Sequence, residues 1–328
     1  MSKVCLALLA CLFLSLVSNP IFGANADGDV YKLIQARRYD LAMPKLKQMV
    51  ARNSRDMSAQ YYLGVCAMGL RDYPLAELAF TRVIISSPVQ DAFAQAARKN
   101  LVSFRSQINP FECRLNNHSM RWAREAMPVK VFFSEGWRVP AGMEGHLMSR
   151  AEYKQITAML QNYNPSQWQL MPGYNSSTGE AVKKGLKSLE WAQKEGLFSF
   201  VTVNSPKGAD IVVLYCAKTV EEEHCGFTSY PYEWSQPCLI QIVLDDKIQD
   251  PQLRSIAQTQ ISAHEFTHAF GLKHSSDPHD LMYPTSEWQE GSDHKMTMVT
   301  EHSVSDKMCL RALYTMEPDV KFISVQQK

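Results

Sequence analysis

From residue 27 to about 105, apolar residues recur every three to four positions; beyond about residue 126 the pattern changes to alternating and continuous apolar runs. The first pattern predicts amphipathic helices and the second a series of strands. "RRYDLAMPKLKQMV" returns 34 residues later as "LRDYPLAELAFTRVI", so that Tyr39 is matched by Tyr73, Ala42 by Ala76 and Leu46 by Phe80. Helical hairpins repeating at that period bury their apolar faces by stacking on one another, and "DAFAQAARKNLVSF" reads as the helix that caps the stack. Residues 106–125 mix turn formers with charges and sustain no period, which predicts a linker.

In the second half, "MPVKVFFSEG" alternates like a strand, and "AVKKGLKSLEWAQKEG" has helical spacing. The runs "FSFVTV", "ADIVVLYC" and "CLIQIVLDD" are strand-like, and "GYNSSTGE" reads as a surface loop. Residues 142–174 fit no single element and are expected to hold the start of a helix plus an insertion. "DPQLRSIAQTQISAHEFTHAFGLKH" predicts one helix over about residues 251–270, capped by Asp250 with proline at its first position. A strand, a helix, further strands and a closing helix pack as a mostly parallel, twisted sheet carrying helices.

Composition narrows the partners. The 328 residues carry 34 basic and 33 acidic side chains, a net charge of +1, which gives no electrostatic reason to expect nucleic acid or an anionic membrane. The opening "MSKVCLALLACLFLSLVSNPIFGANADGDV" has a lysine, an apolar run over 4–17, Pro20 and then Ala24 and Ala26. That is the layout of a signal peptide over 1–26 with cleavage after Ala26, and it predicts a secreted, periplasmic or cell-envelope protein with no stable membrane span after cleavage. An uncleaved anchor reaching Phe22 and lipid attachment at Cys11 are the competing readings. Export would put Cys66, Cys113, Cys216, Cys225, Cys238 and Cys309 in an oxidising environment. Cys225 and Cys238, flanking an aromatic loop, are expected to bridge; six cysteines allow fifteen full pairings, and the rest stay open.

The chemistry concentrates in "HEFTHAFGLKHSSDPHDLMYP". His264 and His268 lie four apart, so both imidazoles leave one helical face and can share an ion. Glu265 follows the first of them as a base that need not bind metal. Gly271 can take the left-handed backbone that ends the helix, and the turn returns His274 as a third ligand. Three neutral imidazoles leave zinc an open position, the arrangement of a catalytic site.

The spacing HExxHxxGxxH resembles the metzincin metallopeptidases, and Met282 eight residues beyond His274 resembles the methionine turn of the matrixin branch. "ADIVVLYC", "HSSDPHDLMYP" and "SVSDKMCLRALY" resemble further matrixin segments, so the resemblance runs with gaps over about 127–316. The animal matrixins' structural-zinc and calcium motifs and their Pro-Arg-Cys-Gly latency switch have no counterpart, which describes a divergent bacterial-type member; calcium finds no supporting motif. The helical period resembles the tetratricopeptide repeat, with one good copy and one degenerate.

The resemblance implies a fold of mixed α+β and α/β character, zincin-like. It has a twisted mixed sheet, an active-site helix, a methionine turn and a C-terminal helix, and an all-α helical-repeat domain precedes it. The domains are then 1–26 signal peptide, 27–105 repeats, 106–125 linker, 126–318 catalytic domain and 319–328 tail. It also implies an exported metalloendopeptidase that hydrolyses peptide bonds with zinc-activated water and Glu265 as general base. Zinc would be held by His264, His268 and His274, with Gly271 and Met282 structural. An extended peptide or protein substrate would lie along an edge strand drawn from "GFTSYPYEW", with the pocket wall in "YPTSEW", where Ser286 stands in place of a frequent tyrosine. The repeats offer a surface for a protein partner. The alternatives are an envelope interaction scaffold with a latent or inactive metzincin domain, and a protease whose repeats act as a prodomain over the cleft. Cys113 is expected in a disulfide, with a zinc-capping thiolate as the other reading. His224 and His279 are expected at the surface, and His302 receives no role.

Overall fold

The repeat is written into the backbone. Five helices, α1 (Gly28–Gln35), α2 (Tyr39–Arg52), α3 (Met57–Gly69), α4 (Tyr73–Ser86) and α5 (Ala92–Val102), form two hairpins and a closing helix. The turns within the two hairpins pass through left-handed residues at Arg37 (φ 56°) and Arg71 (φ 62°), the same 34 residues apart as the sequence echo. Asp56, Asp72 and Asp91 each cap the helix that follows with a side-chain oxygen. Ala42, Leu46, Ala76 and Phe80 are buried in one core, so two of the three matched pairs stack, while Tyr73 of the third is exposed.

The computed structural model describes residues 28–162, 164–217, 225–233, 236–244, 248–285, 288–290 and 296–325. The expected signal segment, His224 and Ser286 lie outside them. After the repeats come β1 (Arg114–Leu115), β2 (His118–Trp122), β3 (Val129–Arg138), α6 (Arg150–Asn162), α7 (Ser176–Lys187), α8 (Glu190–Lys194) and β4 (Phe200–Val203). These are followed by β5 (Ile211–Ala217), β6 (Gly226–Ser229), β7 (Cys238–Leu244), α9 (Pro251–Ala269), β8 (Gln289–Glu290), β9 (Met296–Thr297), α10 (Val304–Tyr314) and β10 (Val320–Phe322).

The main sheet has the order β4-β3-β5-β7-β6, parallel throughout except for β6, which runs antiparallel at one edge. Alternation sends its side chains into two cores. Val131, Ile211, Val213 and Ile240 pack with Phe266 of α9, whereas Phe132, Val212, Leu214 and Leu239 pack with Tyr153, Ile156 and Leu160 of α6. The insertion at 142–174 therefore covers the sheet face that α9 leaves open. "GYNSSTGE" is a helix start, not a surface loop: Asn175 accepts from Thr178 N at 3.0 Å and begins α7 at Ser176.

Residues 106–125 are folded, in contrast to the expected linker. β1 pairs with β2, and β2 pairs in parallel with β10, which draws residues 320–322 of the expected tail into the same small sheet. Trp122 Nε1 donates to Ala269 O at 3.0 Å, fastening this sheet to the end of α9. The repeats are seated on α10 and the chain that follows it, where Arg82 donates to Thr315 O at 2.9 Å and Arg55 pairs with Asp319, and just after the repeats Asn109 N donates to Ser305 Oγ at 2.8 Å. Among the described residues, no helix is long and apolar enough to cross a membrane.

The expected Cys225–Cys238 bridge does not form, and Cys238 is a buried free thiol. The β6–β7 register explains it: Cys225 O accepts from Val243 N at 3.0 Å, five residues along the strand from Cys238. That offset is about 17 Å, against the roughly 4.4–6.8 Å between Cα atoms that a disulfide spans.

Candidate metal centre

α9 brings the first two histidines together because its start and stop are both fixed. Asp250 accepts from Gln252 N at 2.7 Å and Leu253 N at 3.0 Å, and Pro251 occupies the first turn, where its missing N–H costs nothing. At the other end Gly271 N donates to His268 O at 2.8 Å, and the glycine's φ of 108° turns the chain back toward the helix. His264, His268 and His274 then converge, with one ring nitrogen from each lying within 4.8 Å of the others. The ring centroids stand 4.6, 4.7 and 5.2 Å apart.

The hydrogen bonds fix how two of these rings point. His264 Nδ1 lies 2.8 Å from Leu281 O and His268 Nδ1 lies 2.7 Å from Leu272 O, and a carbonyl can only accept, so each Nδ1 carries the proton. Each Nε2 is left with a lone pair. His268 Nε2 and His274 Nε2 are 3.0 Å apart. Nitrogens bound to a common tetrahedral zinc at 2.0–2.1 Å stand roughly 3.4 Å apart, so the donor set fits such an ion. Burial pushes His264 down to about 4 and His268 well below its ordinary value, with the neighbouring imidazoles adding to the effect. Both are neutral, the ligating form.

The turn beyond the histidines is tied down from below. Met282 is fully buried in the core that includes Phe266 and Phe270, and Ser275 N donates to Met282 O at 2.8 Å. Leu281, whose carbonyl orients His264, has its N–H held by Asp306 Oδ2 at 3.0 Å. Asp306 also closes a reciprocal cap with Ser303 at the start of α10, and burial with the nearby Asp280 raises its carboxyl to about 6. On the far side of the ligand turn Tyr230 OH donates to His268 O at 2.6 Å and receives Lys273 Nζ at 2.8 Å, while its ring stacks on Phe322 of β10 at 5.6 Å. The sequence gives no sign of the Asp306, Tyr230 and Phe322 braces, because each joins residues at least 25 positions apart.

Glu265 is buried beside the cluster, and Thr228 of β6 donates to its Oε2 at 2.6 Å. Burial pushes its carboxyl up to about 7, opposed by that hydroxyl. Cys113 lies outside the histidine group; its thiol is buried and donates to Phe111 O at 3.5 Å, so the zinc-capping thiolate has no support in the geometry. His279 is exposed and pairs with Asp277 at 2.9 Å, as a surface residue does.

His302, left without a role by the sequence, is buried behind α9 with Nε2 2.8 Å from Thr267 Oγ1. Burial, then the Lys307 charge, push it down to about 3, so it is neutral in the fold. Below pH 6.5 the unfolded chain takes up a proton that the folded chain refuses, and stability falls as pH drops from about 6.5 toward 3. At pH 5 this term is about 2 kcal/mol. His302→Gln, which keeps a hydrogen-bonding side chain at that position, is expected to lose less Tm than the parent between pH 7 and pH 5. Equal losses in the two proteins would show that His302 carries none of the acid sensitivity.

A family model described as matrixin matches residues 152–315, half of the chain. The match begins inside α6 and ends after α10, taking in the three histidines, Glu265 and Met282. β3, although it lies second in the main sheet, precedes it, as do the repeats; β10 follows it.

Proposed function

The chain belongs to the matrixin family, and from that premise we propose that it is an exported zinc metalloendopeptidase whose helical repeats recruit a protein partner or substrate. The observation that carries the catalytic reading is the convergence of three imidazoles, of which His264 and His268 are held neutral, with the buried carboxyl of Glu265 beside them. His264, His268 and His274 would hold the metal through their inward ring nitrogens. Zinc bound there supplies Lewis acidity to a peptide carbonyl and acidifies water. Glu265 takes the proton of the attacking water and returns it to the leaving nitrogen. β6 is one of the two edge strands of the main sheet among the described residues, and an extended peptide would add to that edge by backbone pairing, beside the carboxylate. The signal-like first 26 residues support export.

The seating of the repeats favours recruitment over a covering prodomain. α4 packs on α10 and reaches Thr315 and Met316, and Ser54 and Arg55 meet Glu317 and Asp319, whereas the histidines come from α9 and the turn after it. The 34-residue period and its matching left-handed turns support a tetratricopeptide-type module. A scaffold with a silent peptidase domain is the alternative, and one experiment separates the two. Purified protein is expected to hold one zinc per chain and to cleave a mixed peptide library, to lose cleavage on dialysis against a chelator, and to regain it with added zinc. Zinc at full stoichiometry without cleavage of any peptide would favour the scaffold.

A further inference from the structure

β6 faces α9 with two residues, Gly226 and Thr228, and both touch Glu265. Thr228 Oγ1 lies 2.6 Å from Glu265 Oε2 and 3.0 Å from Glu265 O. A hydroxyl has one proton to give, and the shorter contact makes the carboxylate its principal acceptor. Two residues earlier, Gly226 leaves space for the same side chain: a Cβ built on it would lie 2.6 Å from Glu265 Cγ, 2.7 Å from Oε1 and 2.9 Å from Cδ. No alanine fits there without displacing the carboxylate. Oε1 receives no hydrogen bond among the described residues, so the two oxygens are unlike, one held and one open to accept a proton.

We propose that Thr228 and Gly226 are positioning residues for Glu265: the hydroxyl holds one carboxylate oxygen, and the absent side chain at 226 gives the other its place beside the metal cluster. This rests on the metallopeptidase reading and adds to it a double use of β6. The strand along whose edge substrate would pair also sets the orientation of the base, so substrate and proton acceptor are referred to one rigid element. The chain supports the arrangement from behind as well, since the Tyr153 hydroxyl sits between Pro237 O, its nearer acceptor, and Ser229 O at 3.0 Å, and the Ser229 hydroxyl accepts from Met148 N at 3.3 Å, holding β6 against the α6 layer.

The test uses the full chain and the variants Thr228→Val, Thr228→Ser and Gly226→Ala. A hydrogen bond to a charged acceptor corresponds to roughly a 10- to 100-fold effect. Thr228→Val is expected to lose that factor in kcat with KM within about twofold and zinc at parent stoichiometry, Thr228→Ser to recover most of the rate, and Gly226→Ala to lose at least as much as the valine variant. A second readout is independent of turnover. In chelator-treated protein, Tm changes for Thr228→Val and Glu265→Ala are expected to be non-additive in the double variant, because each removes the other's partner. Additive Tm changes, or a valine variant with parental kcat, overturn the proposal. If the parent with zinc cleaves nothing while the Tm coupling persists, the contact stands but the metallopeptidase reading fails, and with it the role assigned to Thr228.

Discussion

Glu265→Ala is expected to abolish peptide cleavage, by about 10²- to 10⁴-fold in kcat, while zinc stays at the stoichiometry of the parent. The two halves of this expectation have separate causes. Metal is kept because the three ring nitrogens that fit an ion come from His264, His268 and His274, two of them oriented by backbone carbonyls that do not involve Glu265. Rate is lost because Glu265 is the buried carboxylate beside that cluster, and burial has raised it to about 7, where a base both accepts and releases a proton readily. Glu265→Gln keeps the volume and a hydrogen-bonding group opposite Thr228 while removing the basic oxygen. The glutamine variant is therefore expected to fail as completely as the alanine one. Cleavage by either within tenfold of the parent, measured on the same peptides, would remove Glu265 from the proton transfers. Loss of zinc in the glutamine variant would recast the residue as part of the metal site's framework.

The sequence made α9 legible because everything that defines it is local. The cap at Asp250, the proline after it, the four-residue spacing of the histidines and the terminating Gly271 all act within one helix and its turn. The parallel sheet was legible for a related reason, since strands buried on both faces read as continuous apolar runs such as "ADIVVLYC" and "CLIQIVLDD". What stayed hidden depends on register and on distant partners. β1, β2 and β10 are two to five residues long, too short to show a period, and β2 finds its parallel partner some 200 residues away at the other end of the chain. Cys225 and Cys238 looked like neighbours in sequence, yet an antiparallel register separates them by five positions. Asp306 lies within the matrixin-like segment "SVSDKMCLRALY", where nothing local marks its role. Its grip on the Leu281 N–H, and through that peptide on His264, crosses 25 residues that carry no pattern.

Those distant partners also explain where the structure departs from a bare peptidase domain. The matrixin match covers the sheet from β4 onward together with α9 and α10, but not the small sheet β1-β2-β10. That sheet contacts the ligand turn at three points: Trp122 on Ala269 O, the Met120 carbonyl against Gly271, and Phe322 stacked on the Tyr230 that holds His268 O. The same sheet meets the repeats through Asp319, which binds Ser119 on one side and Arg55 on the other. The repeats and the histidine turn therefore share a supporting element, and the chain is better described as one continuous packing than as two modules joined by a tether.

Gly271→Ala is the substitution at which this shared support is expected to fail most visibly. Its φ of 108° is a backbone conformation that side chains rarely adopt, and a Cβ there would lie 2.2 Å from Met120 O and 2.9 Å from a Leu313 methyl. The first contact is with backbone in β2, which cannot rotate away as a flexible side chain could. Backbone strain and the clash together are expected to cost about 3 kcal/mol or more, a Tm fall of roughly 5 °C or more for a unit of this size. Gly196→Ala provides the comparison, because Gly196 has a similar positive φ of 71° but nothing within 4 Å of its Cβ position, so only the backbone term applies, about 1–2 kcal/mol. The metal site is expected to suffer at Gly271 and not at Gly196. Leu272 O, one residue beyond Gly271, accepts from His268 Nδ1, and moving it turns the ring away from its partners. Zinc affinity should therefore weaken with the Tm of Gly271→Ala and stay parental in Gly196→Ala. Equal Tm losses in the two variants would show that β2 yields to the methyl group, and that the small sheet is not a rigid support for the ligand turn.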